Sequence, residues 1–329
     1  MKKALITGIA GQDGSYLTEL LLAKGYEVHG TVNPATGFRV PWLQPLLADE
    51  SIHRRRLHLY PVDLENPVVL RPMLADIRPQ EFYHLGGVTH VGQSFQSAEL
   101  TCRVNSLGTM RLLDTLRDVA RDVRFFHAAS SEIFGSPSCS PQDEETPLAP
   151  VTPYGCSKAF ATQMVRIYRR MHGLFAVNGI LFNHESPRRG EAFVTRKICR
   201  AAAAIKLGRQ RELVLGNITA ERDWGYAPDY VVGMWLSLQH PTPEDYVFAT
   251  GQLHSVRDVI ECAFREVGLD WHDYVRHDPE LLRSNDPSNL VGTPAKAIRL
   301  LRWRHTKPFA AVIAEMTQAE LERGKQAGN

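Results

Sequence analysis

Tyr154-Gly155-Cys156-Ser157-Lys158 sets a phenol and an ammonium four residues apart, one above the other if the segment is helical. A phenol that titrates near pH ~10 is a poor base at neutrality. A neighbouring cation stabilises its phenolate and makes it usable. Upstream, Ala129-Ser130-Ser131-Glu132 closes a strand-like run with hydroxyls and a carboxylate. Ser130 is placed to hydrogen-bond a substrate hydroxyl and share its proton with Tyr154. Glu132 suits removal of a proton α to a newly made ketone, although a Glu in the first turn of a helix is also stabilised there by the helix dipole. Ser130, Glu132, Tyr154 and Lys158 together favour catalysis at an alcohol carbon and its neighbour.

These groups need a scaffold, and the chain begins with one. Residues 3–7 are a short apolar run that stops at Thr7-Gly8-Ile9-Ala10-Gly11-Gln12-Asp13-Gly14; Leu17, Leu20 and Leu21 then show helical spacing, and 26–32 is strand-like again. This is a βαβ unit. Gly8 allows the tight turn, Gly11 the close approach of a pyrophosphate, and Gly14 close helix–strand packing, with the helix amides facing the phosphates. The loop predicts a dinucleotide cofactor, whose positive nicotinamide would add to the charge acting on Tyr154. Gln12 and Asp13 belong to the same loop. Alternation continues through strands at 57–61, 81–85, 124–128 and 175–181 and a helix near 104–120, and 246–250 reads as a strand returning to the same sheet. The fold class expected is α/β, a doubly wound parallel sheet of the Rossmann type. Residues 183–222 are too polar for another crossover. They and 253–293 are assigned to a smaller, mixed α/β substrate-binding domain, so that 1–182 with a returning segment at 223–252 binds the cofactor and 183–329 mainly the substrate. From Lys307 the chain reads as a polar helix with a frayed end.

The 329 residues carry 38 Lys+Arg against 36 Asp+Glu, a formal charge of +2 that is too even for a protein held to nucleic acid by phosphate contacts. No apolar run approaches the ~18 residues that cross a bilayer. The Lys2-Lys3 start is not followed by an apolar stretch long enough for a signal peptide. Five cysteines without a CxxC pair argue against a disulfide framework or a zinc site and for a reducing cytoplasm. No metal is expected: His184 and Glu185 lack a third ligand nearby and read as structural.

At these residues the chain resembles the extended short-chain dehydrogenase/reductases, and within them the GDP-mannose 4,6-dehydratase family. The resemblance runs over nearly the whole length. It rests on Gly11-Gln12-Asp13-Gly14-Ser15-Tyr16-Leu17, on the block from Asn178 through His184 and Arg188-Arg189-Gly190, on Phe193-Val194-Thr195-Arg196-Lys197, and on Arg222-Asp223-Trp224-Gly225 with Asp229-Tyr230-Val231. It implies an internal redox cycle: oxidation of a sugar at C4 through Tyr154, loss of water across C5–C6 with Glu132 as base, and reduction at C6. The cofactor, NADP by family expectation or NAD, would be held and recycled by Gly8, Gly11, Gln12, Asp13, Gly14, Asp63, Leu64, Leu85 and Gly86 with Tyr154 and Lys158. Asp63 would meet the adenine amino group, or equally cap a helix before Pro67. A GDP-linked sugar would lie along Ser94, Asn183, Val194, Lys197, Arg222, Arg283 and Asp286; paired guanidinium groups can neutralise a diphosphate. Arg188 and Arg189 could face solvent, another subunit or substrate. Asn105 would hold a water or a backbone carbonyl near Lys158. A homodimer or homotetramer is implied, through helices near 104–120 and 154–171.

The sequence departs from the family on the cofactor edge and the substrate rim. Pro34 and Ala35 stand where the family carries an Arg pair that meets the 2′-phosphate and a neighbouring subunit's site. His84-Leu85-Gly86-Gly87-Val88-Thr89 replaces a more amide-rich run, and Asp286 shortens an acidic side chain by one methylene. These changes open a shifted sugar, such as a heptose or another hexose. The rival reading is a nucleotide-sugar 4-epimerase, which needs no base at C5; a decarboxylase or a non-catalytic nucleotide-binding protein lies further off.

Overall fold

The structure is a computed structural model that describes residues 1–36, 39–281 and 290–326. Seven strands, β1 (Lys3–Thr7), β2 (Glu27–Val32), β3 (Leu57–Pro61), β4 (Glu81–His84), β5 (Arg124–Ser130), β6 (Ala176–Leu181) and β10 (Asp245–Phe248), form one parallel sheet in the order β10-β6-β5-β4-β1-β2-β3. The chain order reverses between β1 and β4, which opens a crevice at the carboxyl ends of those strands.

Helices cover both faces because the strands are apolar on both sides. One face is packed by α1 (Gln12–Ala23) and α9 (Ala227–Gln239), with Leu17, Leu21, Val231 and Met234 in a single apolar cluster. The other face is packed by α3 (Leu70–Ile77), α6 (Thr109–Val119) and α7 (Pro153–His172), whose Leu74, Leu113 and Val165 meet Leu5 and Phe125. Short helices α2 (Gln44–Ala48), α4 (Val91–Gln96) and α5 (Ala98–Cys102) fill connections.

Outside this sheet, β7 (Asn183–Glu185), β9 (Glu221–Tyr226) and β11 (Leu253–Ser255) form a three-stranded sheet, and β8 (Leu213–Leu215) pairs with β12 (Val275–His277). Helices α8 (Val194–Lys206), α10 (Val256–Glu266) and α11 (Phe309–Gln326) close around their own apolar cluster. The helix expected to be polar, α11, is therefore half core: Val312, Ile313 and Met316 are buried.

Two boundaries shift. The first helix begins at Gln12, four residues before its apolar pattern, because glycine and short polar residues can form a first turn around a ligand site. The helix expected near 104–120 is broken into a π-helical turn, Arg103–Gly108, followed by α6. Such turns re-aim side chains at functional sites. Here Asn105 is swung to bond Val88 from both ends, its Oδ1 accepting from Val88 N–H and its Nδ2 donating to Val88 O, each at 2.9 Å.

Candidate active site

A cleft of about 820 Å³ lies over the carboxyl ends of the large sheet, and Ser130, Glu132, Tyr154 and Lys158 all line it. Ser130 ends β5, and its hydroxyl accepts from Glu132 N–H at 3.3 Å. That bond caps the turn at Ser131–Ile133 and fixes where Glu132 starts. Thr152 caps α7 by accepting from Gly155 N–H at 2.9 Å, with Pro153 in the first turn, so Tyr154 enters the cleft from a rigid helix end. The two pieces lock at Gly155: a Cβ there would stand 2.5 Å from the Glu132 carbonyl oxygen. Only glycine lets α7 approach this turn so closely.

Burial pushes the Tyr154 phenol up to about 12; its hydrogen bond with Ser130 pulls it down, the Glu132 carboxylate raises it, and Arg189 lowers it. Burial pulls Lys158 down to about 8. Its ammonium donates to the Ala128 carbonyl at 2.7 Å. A phenol raised to about 12 is protonated at neutrality, so the positive nicotinamide expected from the sequence is a further source of charge for its phenolate.

The glycine loop reaches the cleft through Asp13. Gly8 has φ +72°, and a Cβ on it would meet Gly86 Cα at 2.7 Å; a Cβ on Gly14 would meet Gly8 O at 2.3 Å. The turns after β1 and β4 therefore touch backbone to backbone, with Leu64 packed over Gly86. Gly11 caps α1 without a side-chain bond and is exposed. This cradle fits a pyrophosphate.

Comparison with known proteins agrees with this geometry. The family model described as GDP-mannose 4,6 dehydratase matches residues 5–316. GDP-mannose 4,6 dehydratase 1 of Arabidopsis thaliana is 45% identical over 330 residues, covering 99% of this chain and 91% of that protein. The human GDP-mannose 4,6 dehydratase is 42% identical, covering 97% of this chain and 91% of that protein. The chain belongs to the GDP-mannose 4,6-dehydratase family. Among solved structures, DesIV, a dTDP-glucose 4,6-dehydratase from Streptomyces venezuelae with NAD and TYD bound, superposes with a TM-score of 0.87 at 25% identity over 98% of each chain. The Thermus thermophilus UDP-glucose 4-epimerase in complex with NAD shares the fold, at a TM-score of 0.82 and 24% identity over 97% of this chain and 98% of that one.

The family's sequence blocks prove to hold one another. Gln12 donates to the His184 carbonyl at 3.0 Å and accepts from the Ser186 hydroxyl at 2.8 Å, so its amide fastens the loop after β7 instead of reaching into the cleft. Asp13 and His184, 171 residues apart, form an ion pair at 2.9 Å. Burial works against both charges, yet His184 holds Asp13 below its ordinary value and Asp13 holds His184 above its own. His184 also lies 2.7 Å from the Phe182 carbonyl through Nδ1 and stacks on Tyr230 at 4.5 Å. Gly225 is glycine because a Cβ would meet that Tyr230 ring at 2.4 Å. Asp223, 1% exposed, accepts from Thr250 N–H and Oγ1–H, Gly251 N–H and Gly292 N–H. His184 is structural, as read from sequence, but it also lines the cleft.

Asn183, Val194, Lys197 and Arg222 line the cleft as expected for a substrate rim, together with Leu85 and Asp13. Ser94 differs. It is fully buried, donates to Val91 O at 2.6 Å and accepts from Tyr154 N–H at 3.2 Å, so it steadies the start of α7 from behind. Asp63 is exposed after β3 and accepts from Glu65 N–H at 2.9 Å, a local turn in place of the expected cap at Pro67. Arg283 and Asp286 lie outside the described residues. The sequence leaves Arg188 and Arg189 open between solvent, another subunit and substrate. Arg188 clamps α1, donating to Ser15 Oγ at 3.0 Å and Glu19 at 2.6 Å across the Tyr16 ring. Arg189 lines the cleft, 3.3 Å from Glu185 and over Phe193.

Proposed function

We propose that the chain converts GDP-mannose, or a GDP-sugar of closely similar shape, into a GDP-4-keto-6-deoxy sugar. The observation that carries this reading is the convergence of Ser130, Glu132, Tyr154 and Lys158 on one cleft that Asp13 of the glycine loop also lines. An oxidised nicotinamide bound there would supply a two-electron acceptor that is restored within each turnover, and positive charge beside Tyr154.

Tyr154 takes the C4 hydroxyl proton through, or beside, the Ser130 hydroxyl. Lys158, fixed on Ala128 O, keeps cationic character near the phenol. Oxidation at C4 acidifies C5–H, and Glu132 receives that proton as the C6–O bond breaks; the departing hydroxyl leaves as water with the proton equivalent that Tyr154 took from the C4 hydroxyl. Reprotonation at C5 from Glu132 accompanies reduction at C6. Atoms balance as loss of one water. The base at C5 favours this over 4-epimerisation, which requires none. Arg222, Lys197 and Arg189 would meet the diphosphate and sugar, with Asn183 and Val194 along the rim.

We assign residues 1–182 and 223–252 to cofactor binding and most of 183–329 to the GDP-sugar. Asn33 accepts from Ala35 N–H at 2.9 Å, and 33–35 carry no cation to neutralise a 2′-phosphate. We therefore assign NAD as a cofactor that binds at least as well as NADP. Exposed Phe160, Ile167 and Met171 on α7 would pair two copies.

The test is incubation of the purified protein with GDP-mannose, without added cofactor and then with NAD or NADP, read by mass spectrometry. A product lighter by one water with no net cofactor reduction is expected. An unchanged mass in every arm would refute the assignment, and a sugar altered only at C4 would establish the epimerase.

A further inference from the structure

Glu27 and His29 lie two residues apart on β2, and the strand register sets His29 opposite His58 on β3. Their donor atoms converge. Nε2 of His29 lies 3.0 Å and Nε2 of His58 3.4 Å from the same Glu27 Oε1. All three donor atoms fall within 4.8 Å of one another. The rings stack at 4.8 Å with planes 17° apart, so both nitrogens point the same way.

The His58 Nε2 is buried and makes no hydrogen bond. A buried ring nitrogen without a partner is costly, and a ligand that supplies one relieves that cost. His29 is braced from behind, its Nδ1 3.0 Å from the Tyr60 hydroxyl, which orients the ring and leaves Nε2 for the cluster. Lys3 Nζ, 3.8 Å from Glu27 Oε1, is the nearest balancing cation; its side chain is 35% exposed and free to swing to solvent.

We propose that Glu27, His29 and His58 form a binding site for a divalent transition-metal ion of the zinc class. Two imidazoles and one carboxylate would bind it, with the fourth position left to water. Two nitrogen donors exclude Ca²⁺ and Mg²⁺, which demand oxygen shells, and favour Zn²⁺ among available ions. Glu27 and His58 stand at the amino ends of their strands, the end of the sheet away from Gly8 and the cleft. The ion therefore acts outside the dehydration chemistry. It staples β3, the outermost strand, to β2.

The full chain, stripped with EDTA and dialysed, is titrated with Zn²⁺ against a chromophoric competitor near neutral pH. The wild type should take up one equivalent, gain melting temperature with Zn²⁺, and show visible absorption when loaded with Co²⁺. His58→Gln and Glu27→Gln should bind at least ~10-fold more weakly and lose the melting shift. His272→Gln, which alters an exposed His–Asp pair, should change neither. Failure of the wild type to take up Zn²⁺ saturably, or equal uptake by His58→Gln and Glu27→Gln, would overturn the proposal.

Discussion

The contact between α7 and the Glu132 turn makes Gly155→Ala an informative substitution. In an ordinary helix interior alanine is favoured over glycine by ~0.8–1 kcal/mol. Here the new Cβ would stand 2.5 Å from the Glu132 carbonyl oxygen and 3.1 Å from Thr152 Oγ1. Ordinary contact begins near 3.4 Å, so helix and turn must part by about 0.9 Å. The obstructing atom is backbone and cannot rotate away. Overpacking costs ~1–3 kcal/mol, and a rigid backbone clash of this depth belongs to the upper part of that range, ~2–3 kcal/mol, which outweighs the gain in propensity. A net loss of about 1–2 kcal/mol and a melting temperature lower by a few degrees are expected. The larger effect falls on rate, because the displaced group carries Glu132, and a misplacement of ~1 Å costs on the order of 10²-fold. Turnover of GDP-mannose by mass spectrometry, beside thermal unfolding, gives both numbers. A variant that melts lower yet turns over at the wild-type rate would refute the claim that the Glu132–Tyr154 spacing governs the chemistry. A variant as stable as wild type would refute the clash.

Glu132→Gln keeps the shape and removes the base, so turnover should fall ~10²–10⁴-fold. Oxidation at C4 should survive, seen in a single turnover as accumulated reduced nicotinamide absorbance. The Asp13–His184 pair gives a pH signature, because His184 is raised from 6.5 and Asp13 lowered from 3.8. The His184 share of stability is complete below pH 6.5 and fades as pH rises through its folded value, while the Asp13 share fades as pH falls below 3.8. The stability advantage of wild type over His184→Gln, measured by urea unfolding, should be greatest between those values and shrink as pH rises above 6.5; a difference that stayed constant on the alkaline side would contradict the pairing. Asp223→Ala strands buried amides of the 250–251 turn and should cost ~3 kcal/mol or more in the same assay. Wild-type stability in that variant would mean those bonds carry nothing.

The sheet strands were legible because each is a short apolar run closed by glycine or polar residues, and the glycine loop and the Tyr154–Lys158 spacing are local patterns. What stayed hidden depends on contacts distant in sequence. The π-helical turn at Arg103–Gly108 is held by Asn105 and Ser106 bonding to Val88 and Ser157, which no helical periodicity reports. Ser94 carries the residue type of a substrate contact, and only the structure reveals that it is buried and accepts from Tyr154 N–H. The three-residue strands β7, β8, β11 and β12 are too short for an alternation pattern. The buried face of α11 escaped because its apolar residues sit among polar ones, and its partner, α8, is more than 100 residues away.

The position of β10 bears on how the protein is made. Its partner β6 leaves the ribosome more than sixty residues earlier, and everything from β7 through α9 lies between them. Until that segment emerges, the nascent sheet ends in a buried-type strand, Ala176–Leu181, with an unpaired edge. Such edges template association with other chains, and pairings that close long loops form slowly. The vulnerable interval in biosynthesis is thus the stretch between residues 182 and 248. A chain stopped there should be far more prone to aggregate, and to engage chaperones, than one released a few residues beyond β10.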